Sequence, residues 1–401
     1  MKAIKTDITA PQRRALWALS LAYFVQATGA LSVAGSLEPI SYAWGLTDAQ
    51  SARLLAVFGL TFAVGAPLAQ VFFGHVRRRQ QVVAGMSVFG LGAFLFALAP
   101  DYSVLVLARI AMGLGASLIG PVLVALGSEL VKEKERGSAI AMILLGVSIA
   151  SMVGIPLAAW VANLLGARML FTLVGAMSVL SVINIMLSVP NSVAGAEIRL
   201  RQVGQVLTER ASLTAFLVVF FITSGVYDMY AFISPIVRDT WHGDSGSVSV
   251  ALAVIGVAGI VGNLFVARAA RVYSAERLLT AGIALLVADM VVITLLPGKL
   301  ALLYIALVFW AFATDLLWPS QQRRIVEMAD PQTRGISLAL TSAFMFCGIG
   351  FGSAVASWIY PLYGFYGVMV SAILFLLLAL VSLWLSERFR MQPFDSSFSV
   401  R

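Results

Sequence analysis

The sequence predicts an all-α membrane protein of twelve transmembrane helices, arranged as two pseudo-symmetric six-helix bundles over 1–189 and 213–401 with a linker over 190–212. Three observations carry this. Hydrophobic residues make up 60% of the 401 and charged residues 11%, against roughly 45–50% and 25% in soluble domains. The chain divides into twelve apolar runs of about 20 residues, the length that crosses a hydrocarbon core. A stretch also recurs at a spacing of 198. Glu135-Arg136-Gly137, Ala150, Gly154, Trp160 and Gly166 return as Thr333-Arg334-Gly335, Gly348, Gly352, Trp358 and Gly364. In an apolar chain, such a repeat points to two similar bundles around a central site.

The predicted helices run near 15–37, 50–73, 80–99, 103–128, 138–162, 168–189, 213–237, 247–270, 276–297, 300–322, 335–359 and 364–386. Charge orients them. On one side fall the N-terminus (Lys2, Lys5, Arg13, Arg14), alternate loops (Arg77, Arg78, Arg79; Lys132, Lys134, Arg136), the linker (Arg199, Arg201, Arg210) and the later loops (Arg268, Arg271, Arg277; Arg323, Arg324, Arg334). The C-terminus (Arg388, Arg390, Arg401) joins them. Of 27 lysines and arginines, the opposite side holds Arg53, Arg168, Arg238 and Lys299, and Arg109 falls within the fourth helix. The positive-inside rule then places both termini in the cytoplasm, and a bacterial inner membrane is the expected location. The net charge of +8 is thus an orientation signal and implies no nucleic-acid partner. Arg13-Arg14 followed by Ser32-Val33-Ala34 imitates a signal peptide, but about 20 apolar residues exceed a signal core of 7–15.

In the first helix, Gln26, Thr28, Gly29, Ser32 and Gly35 interrupt the apolar run, and Tyr23 and Gln26, one turn apart, share a face. They line a polar cavity or allow close helix packing; both readings stand. Between helices two and three lies Gly74-His75-Val76-Arg77-Arg78-Arg79. The fourth helix holds Arg109 in Arg109-Ile110-Ala111-Met112-Gly113. An arginine inside hydrocarbon costs about 2.5–3.5 kcal/mol on insertion scales, so it needs a partner or a wet cavity, or must snorkel outward. Helix five carries Gly146 and Gly154-Ile155-Pro156-Leu157. Gly146, Gly154, Gly348 and Gly352 bring backbones close, and Pro156 loosens the helix. Together they predict a packed but bendable seam on which the bundles rock. The linker, with Leu200, Val203 and Leu207 at helical spacing, is expected on the inner membrane surface.

The second half holds the deep carboxylates: Asp228 in helix seven beside Tyr227 and Tyr230, Asp289 in helix nine, and Asp315 in helix ten after Trp310. A carboxyl among apolar side chains can take a proton from one side and release it to the other, so Asp228 and Asp315, with Arg109, are the candidates for proton coupling. Tyr227, Tyr230 and Trp310 offer amphipathic walls to a cavity, and would serve equally as core packing.

These motifs resemble the major facilitator superfamily. The basic turn at Arg77, Arg78 and Arg79 resembles its signature between helices two and three, without the acidic residue usual there. Arg109-x-x-x-Gly113 resembles its helix-four signature, and Gly146 through Pro156 resembles the helix-five pattern of its antiporters, in the form found in bacterial sugar-efflux (arabinose-efflux permease-like) and drug-efflux members. The resemblance implies that helices one, four, seven and ten line a central cavity. It places Asp228 and Asp315 there and leaves Asp289 to a structural hydrogen bond or an edge. It also implies proton-coupled efflux of a small organic solute, drug-like or sugar, by alternating access, with a proton-independent facilitator or transporter-like sensor as the alternative. His75 and His242 lie on opposite sides, the lone Cys347 lies in an apolar helix, and no nucleophile has a base nearby. The expectation is no metal, no cofactor and no enzyme, in a monomer whose partners are its solute, protons and the lipid bilayer.

Overall fold

The computed structural model describes residues 8–191, 200–270, 272–295, 298–329 and 334–391; Lys2, Lys5, Arg199, Arg271 and Arg401 lie outside them. The first half contains α1 (Ala10–Gly35), a short α2 (Leu37–Trp44), α3 (Asp48–Phe73), α4 (Arg78–Leu98), α5 (Tyr102–Ser117), α6 (Gly120–Glu129), α7 (Arg136–Ile149), α8 (Ile155–Leu165) and α9 (Ala167–Ser188). The linker carries α10 (Leu200–Thr208). The second half contains α11 (Arg210–Ala231), α12 (Ile233–Trp241), α13 (Ser245–Ala269), α14 (Ala275–Leu295), α15 (Leu300–Met328) and α16 (Arg334–Met391). Polar residues start these helices where the first N–H groups would otherwise be bare. Thr47 accepts from the Gln50 N–H, Asp101 from Val104 and Asp244 from Ser247.

Eleven helices of the described chain are long and apolar enough to cross a membrane, the last, Ile336–Arg390, having 55 residues. At the helical rise it would run roughly 80 Å, far beyond one bilayer. Gly364 breaks it with φ 57° and ψ −149°, giving two spans and twelve in all. Its partner in the repeat, Gly166, turns the chain between α8 and α9 with φ 86°. The repeat keeps glycine at both positions because that backbone disfavours any Cβ. Trp160 and Trp358, also repeated, are both exposed on the apolar exterior, as suits a tryptophan meeting lipid.

Three expectations change. Helix five is interrupted by a π turn at Ala150–Gly154 ahead of Pro156, which stands in the first turn of α8. Helix ten extends to Met328, so Arg323 and Arg324 belong to α15 and not to a loop. The linker helix docks on protein: Val206 is buried with Ala215, Phe216, Ile325, Ile336 and Leu340, and Val203 and Leu207 pack beside it.

The glycine seam is the fourth correction. A Cβ on Gly146 would strike the Ser20 carbonyl, and one on Gly154 the Thr28 hydroxyl, so both face α1 of their own half. Gly348 likewise faces Thr223 and the Phe220 carbonyl, and Gly352 the Ser224 carbonyl, all on α11. These four glycines close each bundle on itself. The close approach between halves uses residues that the repeat did not mark. Gly350, two residues from both Gly348 and Gly352, lies on the opposite side of α16 because each residue turns the helix by about 100°. It meets Gly59 of α3, whose Cβ would come within 2.8 Å of the Gly350 nitrogen. Phe58 and Phe62 flank this crossing against Phe346. A second crossing brings Gly256 of α13 onto the Met152 carbonyl in the π turn.

Candidate functional site

Polar links between the halves gather at the face opposite the start of α1 and the end of α16. Asp48 starts α3, and Arg238 stands in the last turn of α12. The Arg238 Nη2 donates to Asp48 Oδ2 at 2.6 Å across the halves, and its Nε donates to Asp239 Oδ1 at 2.7 Å. Tyr360 of α16 donates its hydroxyl to Asp239 Oδ2 at 2.7 Å, and Ser234 reaches the Ala34 carbonyl at 3.4 Å. Hydrogen bonding to Asp239 raises the Arg238 guanidinium further, with Asp48 adding to it. Burial would raise the Asp239 carboxyl, but the bonds from Arg238 and Tyr360 outweigh it and hold the group below the ordinary carboxylate value. A groove of about 470 Å³ lined by Thr47, Asp48, Arg53 and Tyr360 sits over this network. The result is a charged latch between α3 and α12. Arg238 was legible only as an orientation charge, because its partner lies in the other half of the chain.

The interior charges fall in separate places. Arg109 is fully buried and donates to three backbone carbonyls: Leu54 at 3.0 Å, Gly29 at 3.2 Å and Ala30 at 2.7 Å. Its guanidinium also lies 4.6 Å from the Phe58 ring centroid. The expected partner is therefore backbone, and Arg109 braces α1, α3 and α5 together. Asp228 is fully buried; its Oδ2 accepts from the Ser371 hydroxyl at 2.5 Å, and its Oδ1 has no hydrogen-bond partner among the described residues. That contact directs it to the last span of the chain. Tyr227 and Tyr230 stand on another side of α11, Tyr230 stacking on Trp310 at 6.0 Å and Tyr227 meeting Tyr230 edge-on at 5.5 Å. The aromatic trio joins α11 to α15, apart from Asp228. Asp315 packs between α15 and α13, where Gly259 and Gly262 make room for its carboxyl. Gln26 is buried and Tyr23 half-buried on α1, and the Tyr23 hydroxyl lies toward Gly120 of α6. For Asp289, expected in a structural hydrogen bond or at an edge, no such bond is found among the described residues: its Oδ2 is buried without a partner there, beside a cavity on the outside of the second half.

Two six-helix units, related by a repeat, crossing at glycine contacts and latched at one face, define an architecture that sequence comparison identifies directly. The profile of the Major Facilitator Superfamily matches residues 19–299 and again 216–398. The chain belongs to the Major Facilitator Superfamily. It is 27% identical to the inner membrane transport protein YdhP of Escherichia coli (strain K12) over 84% of this chain and 87% of that one. It is 22% identical to the uncharacterized MFS-type transporter YbcL of Bacillus subtilis (strain 168), over 85% and 87%. Among solved structures, a bacterial homolog of the human lysosomal transporter Spinster, inward-facing and unoccupied, superposes with TM-score 0.72 at 14% identity, covering 95% and 97%. A POT family transporter in complex with 5-aminolevulinic acid gives 0.77 at 10%, covering 94% and 96%. These likenesses establish the fold, and the family and its relatives make the chain a secondary transporter in a membrane.

Membership in the superfamily gives the basic turn a context. Arg78 pairs with Glu129 of α6 at 2.8 Å, while Arg79 donates to Asn191 at 2.8 Å and to the Met186 carbonyl at 2.6 Å. Arg77 caps α4. A carboxylate that meets this basic turn is Glu129, which the sequence did not single out. Adding the repeat of 198 to Arg78 gives Glu276, and there the charges are reversed. Glu276 of α14 lies 3.7 Å from Arg324 of α15 and accepts from Arg390 at 3.0 Å. Arg324 also donates to Ser386 at 2.8 Å and Glu387 at 3.2 Å. Each half is stapled internally at the face where α1 starts and α16 ends.

Proposed function

We propose that this transporter exports a small organic solute, drug-like or a sugar, by alternating access coupled to proton antiport, with its basic face in the cytoplasm of a bacterial cell. The observation that carries the reading is the Asp48–Arg238–Asp239 latch, which fastens the two halves at one face, its Asp48 lining the groove there. Such a link is stable in one state and must break in the other, which is the requirement for a site exposed alternately to two sides. Asp228 supplies a place for the proton: a buried carboxyl with one oxygen free, on the helix that leads through Phe232 into α12 and Arg238. Loading or unloading a proton there changes how α11 packs on Ser371 and so where Arg238 stands. Asp315 is the second candidate carrier, Arg109 serves by holding α1, α3 and α5 as one body, and Tyr227, Tyr230 and Trp310, with Tyr23 and Gln26, form the walls that meet the solute. Gly59 with Gly350 and Gly256 with Met152 are the pivots.

A second reading is favoured by one observation. Asp228 turns toward Ser371, and Asp315 toward the glycines of α13, so both acids face their own bundle and serve a proton-independent facilitator as structural groups. Uptake and efflux of a compound panel in proteoliposomes under an imposed pH gradient separates the two. Antiport predicts gradient-driven flux that Asp228→Asn or Asp315→Asn abolishes; flux indifferent to the gradient and to both substitutions establishes the facilitator.

A further inference from the structure

On the outside of the second half, a cavity of about 130 Å³ opens between α14 and α15, lined by Trp241, Asp289, Val292, Ile293, Leu302, Ile305 and Phe309 among others. Its size is close to the roughly 150 Å³ that holds a benzene ring in a protein interior. Val292, Leu302, Ile305 and Phe309 are all exposed on the apolar exterior, so the mouth meets lipid. Its floor is polar. Asp289 is 6% exposed and Trp241 3%, and both the Asp289 Oδ2 and the Trp241 Nε1 are buried without a hydrogen-bond partner. Phe365 packs edge-on against Trp241 at 5.1 Å and fixes the indole. Two bare polar groups, one an acceptor and one a donor, at the end of an oily crevice are costly unless something answers both.

We infer that this crevice binds a bilayer-dissolved lipophilic amino alcohol, its ammonium donating to Asp289 Oδ2, its neighbouring hydroxyl oxygen accepting from Trp241 Nε1, and its chain lying along Ile305 and Phe309. The chemistry follows from the floor. A carboxylate selects a cation, the indole N–H requires an oxygen beside it, and the exposed apolar mouth admits a chain that arrives from the membrane. Asp289 lies six residues before Leu295, the last residue of α14, about 9 Å below the helix end by helical rise. That depth suits a compact head drawn just beneath the interface. A phospholipid carrying a net negative head is disfavoured by the acid. The inference needs only that the chain spans a membrane, so it stands or falls independently of proton antiport.

The test uses the full chain in nanodiscs, with binding of a long-chain vicinal amino alcohol measured against the chain-matched plain alcohol and the chain-matched carboxylate. The amino alcohol is expected to bind about tenfold or more tighter than either, since a charge-assisted bond separates them. Asp289→Asn, which keeps the shape, removes that advantage, and Trp241→Phe weakens the amino alcohol and the plain alcohol alike, severalfold, because both offer the indole a hydroxyl oxygen. Phe309→Trp, which fills the crevice and spares its floor, lowers binding of all three. Equal affinity for the three compounds, or an amine preference that survives Asp289→Asn, overturns the assignment.

Discussion

Replacing Asp48 by Asn removes the charge that joins the two halves and leaves the shape of α3 intact. Charge-assisted hydrogen bonds contribute about 1.5–3 kcal/mol when shielded, and exposed ion pairs about 0.2–1. The Arg238 side chain is 37% exposed and that of Asp48 22%, so solvent screening brings the crossing bond to about 1 kcal/mol. That is about a fivefold shift in the ratio of latched to unlatched molecules. Spin labels at Tyr42→Cys and Tyr363→Cys, exposed positions on the two halves near the latch, in a Cys347→Ser background report the ratio as a distance distribution. Asp48→Asn should raise the long-distance population about fivefold relative to the short one, and Arg238→Gln should do at least as much. Because the bond is shared, the double variant should add little to Arg238→Gln alone. A distribution unchanged by both single variants refutes the latch.

The same labels test its pH response. Asp239 is held below the ordinary carboxylate value, so its stabilisation is complete above about pH 4 and is lost only as pH falls through its lowered value. Arg238, pushed up, loses its contribution only above the arginine range. The latched fraction should therefore be flat from about pH 5 to 8, and a midpoint inside that window contradicts the assignment. Arg109→Met removes the bonds that a charged donor makes to the carbonyls of Leu54, Gly29 and Ala30, and a bond to a charged group contributes about 1.5–3 kcal/mol. Its melting temperature in detergent should fall sharply, and Arg109→Lys should recover only part because an ammonium is a point charge, not a fork. Gly146→Leu and Gly348→Leu drive a side chain into backbone on α1 and α11 and should each cost about 1–3 kcal/mol or prevent folding, whereas Gly137→Ala, with open space at its Cβ, should be neutral in the same melt.

Much of this was legible in the chain. Apolar run length gave the spans, and the repeat at Gly166 and Gly364 marked two turns that need positive φ. The glycines of helices five and eleven did signal close packing, yet sequence could not say against which neighbour. Gly146 and Gly350 look alike in one dimension; one faces its own half and the other the opposite half because of where each falls around its helix. Arg109 was visible as costly, but three backbone carbonyls carry no sequence signal as its partners. Glu129, Glu276 and Arg238 were hidden for a related reason: each gains meaning from a partner on another helix, and the charge reversal between Arg78 and Glu276 defeats a search for like residues. The resemblance implies a cavity place for Asp228 and leaves Tyr230 open between cavity wall and core packing; two residues apart on a helix, they point in nearly opposite directions.

The account turns on whether a solute and a proton compete through the second half. Purified protein in weakly buffered detergent, titrated with a compound that it transports, gives the answer as a change in solution pH. Antiport through Asp228 predicts proton release on addition of the compound to the wild-type protein and none from Asp228→Asn that still binds it. Binding without proton release in the wild-type protein, or release that persists in both Asp228→Asn and Asp315→Asn, contradicts it.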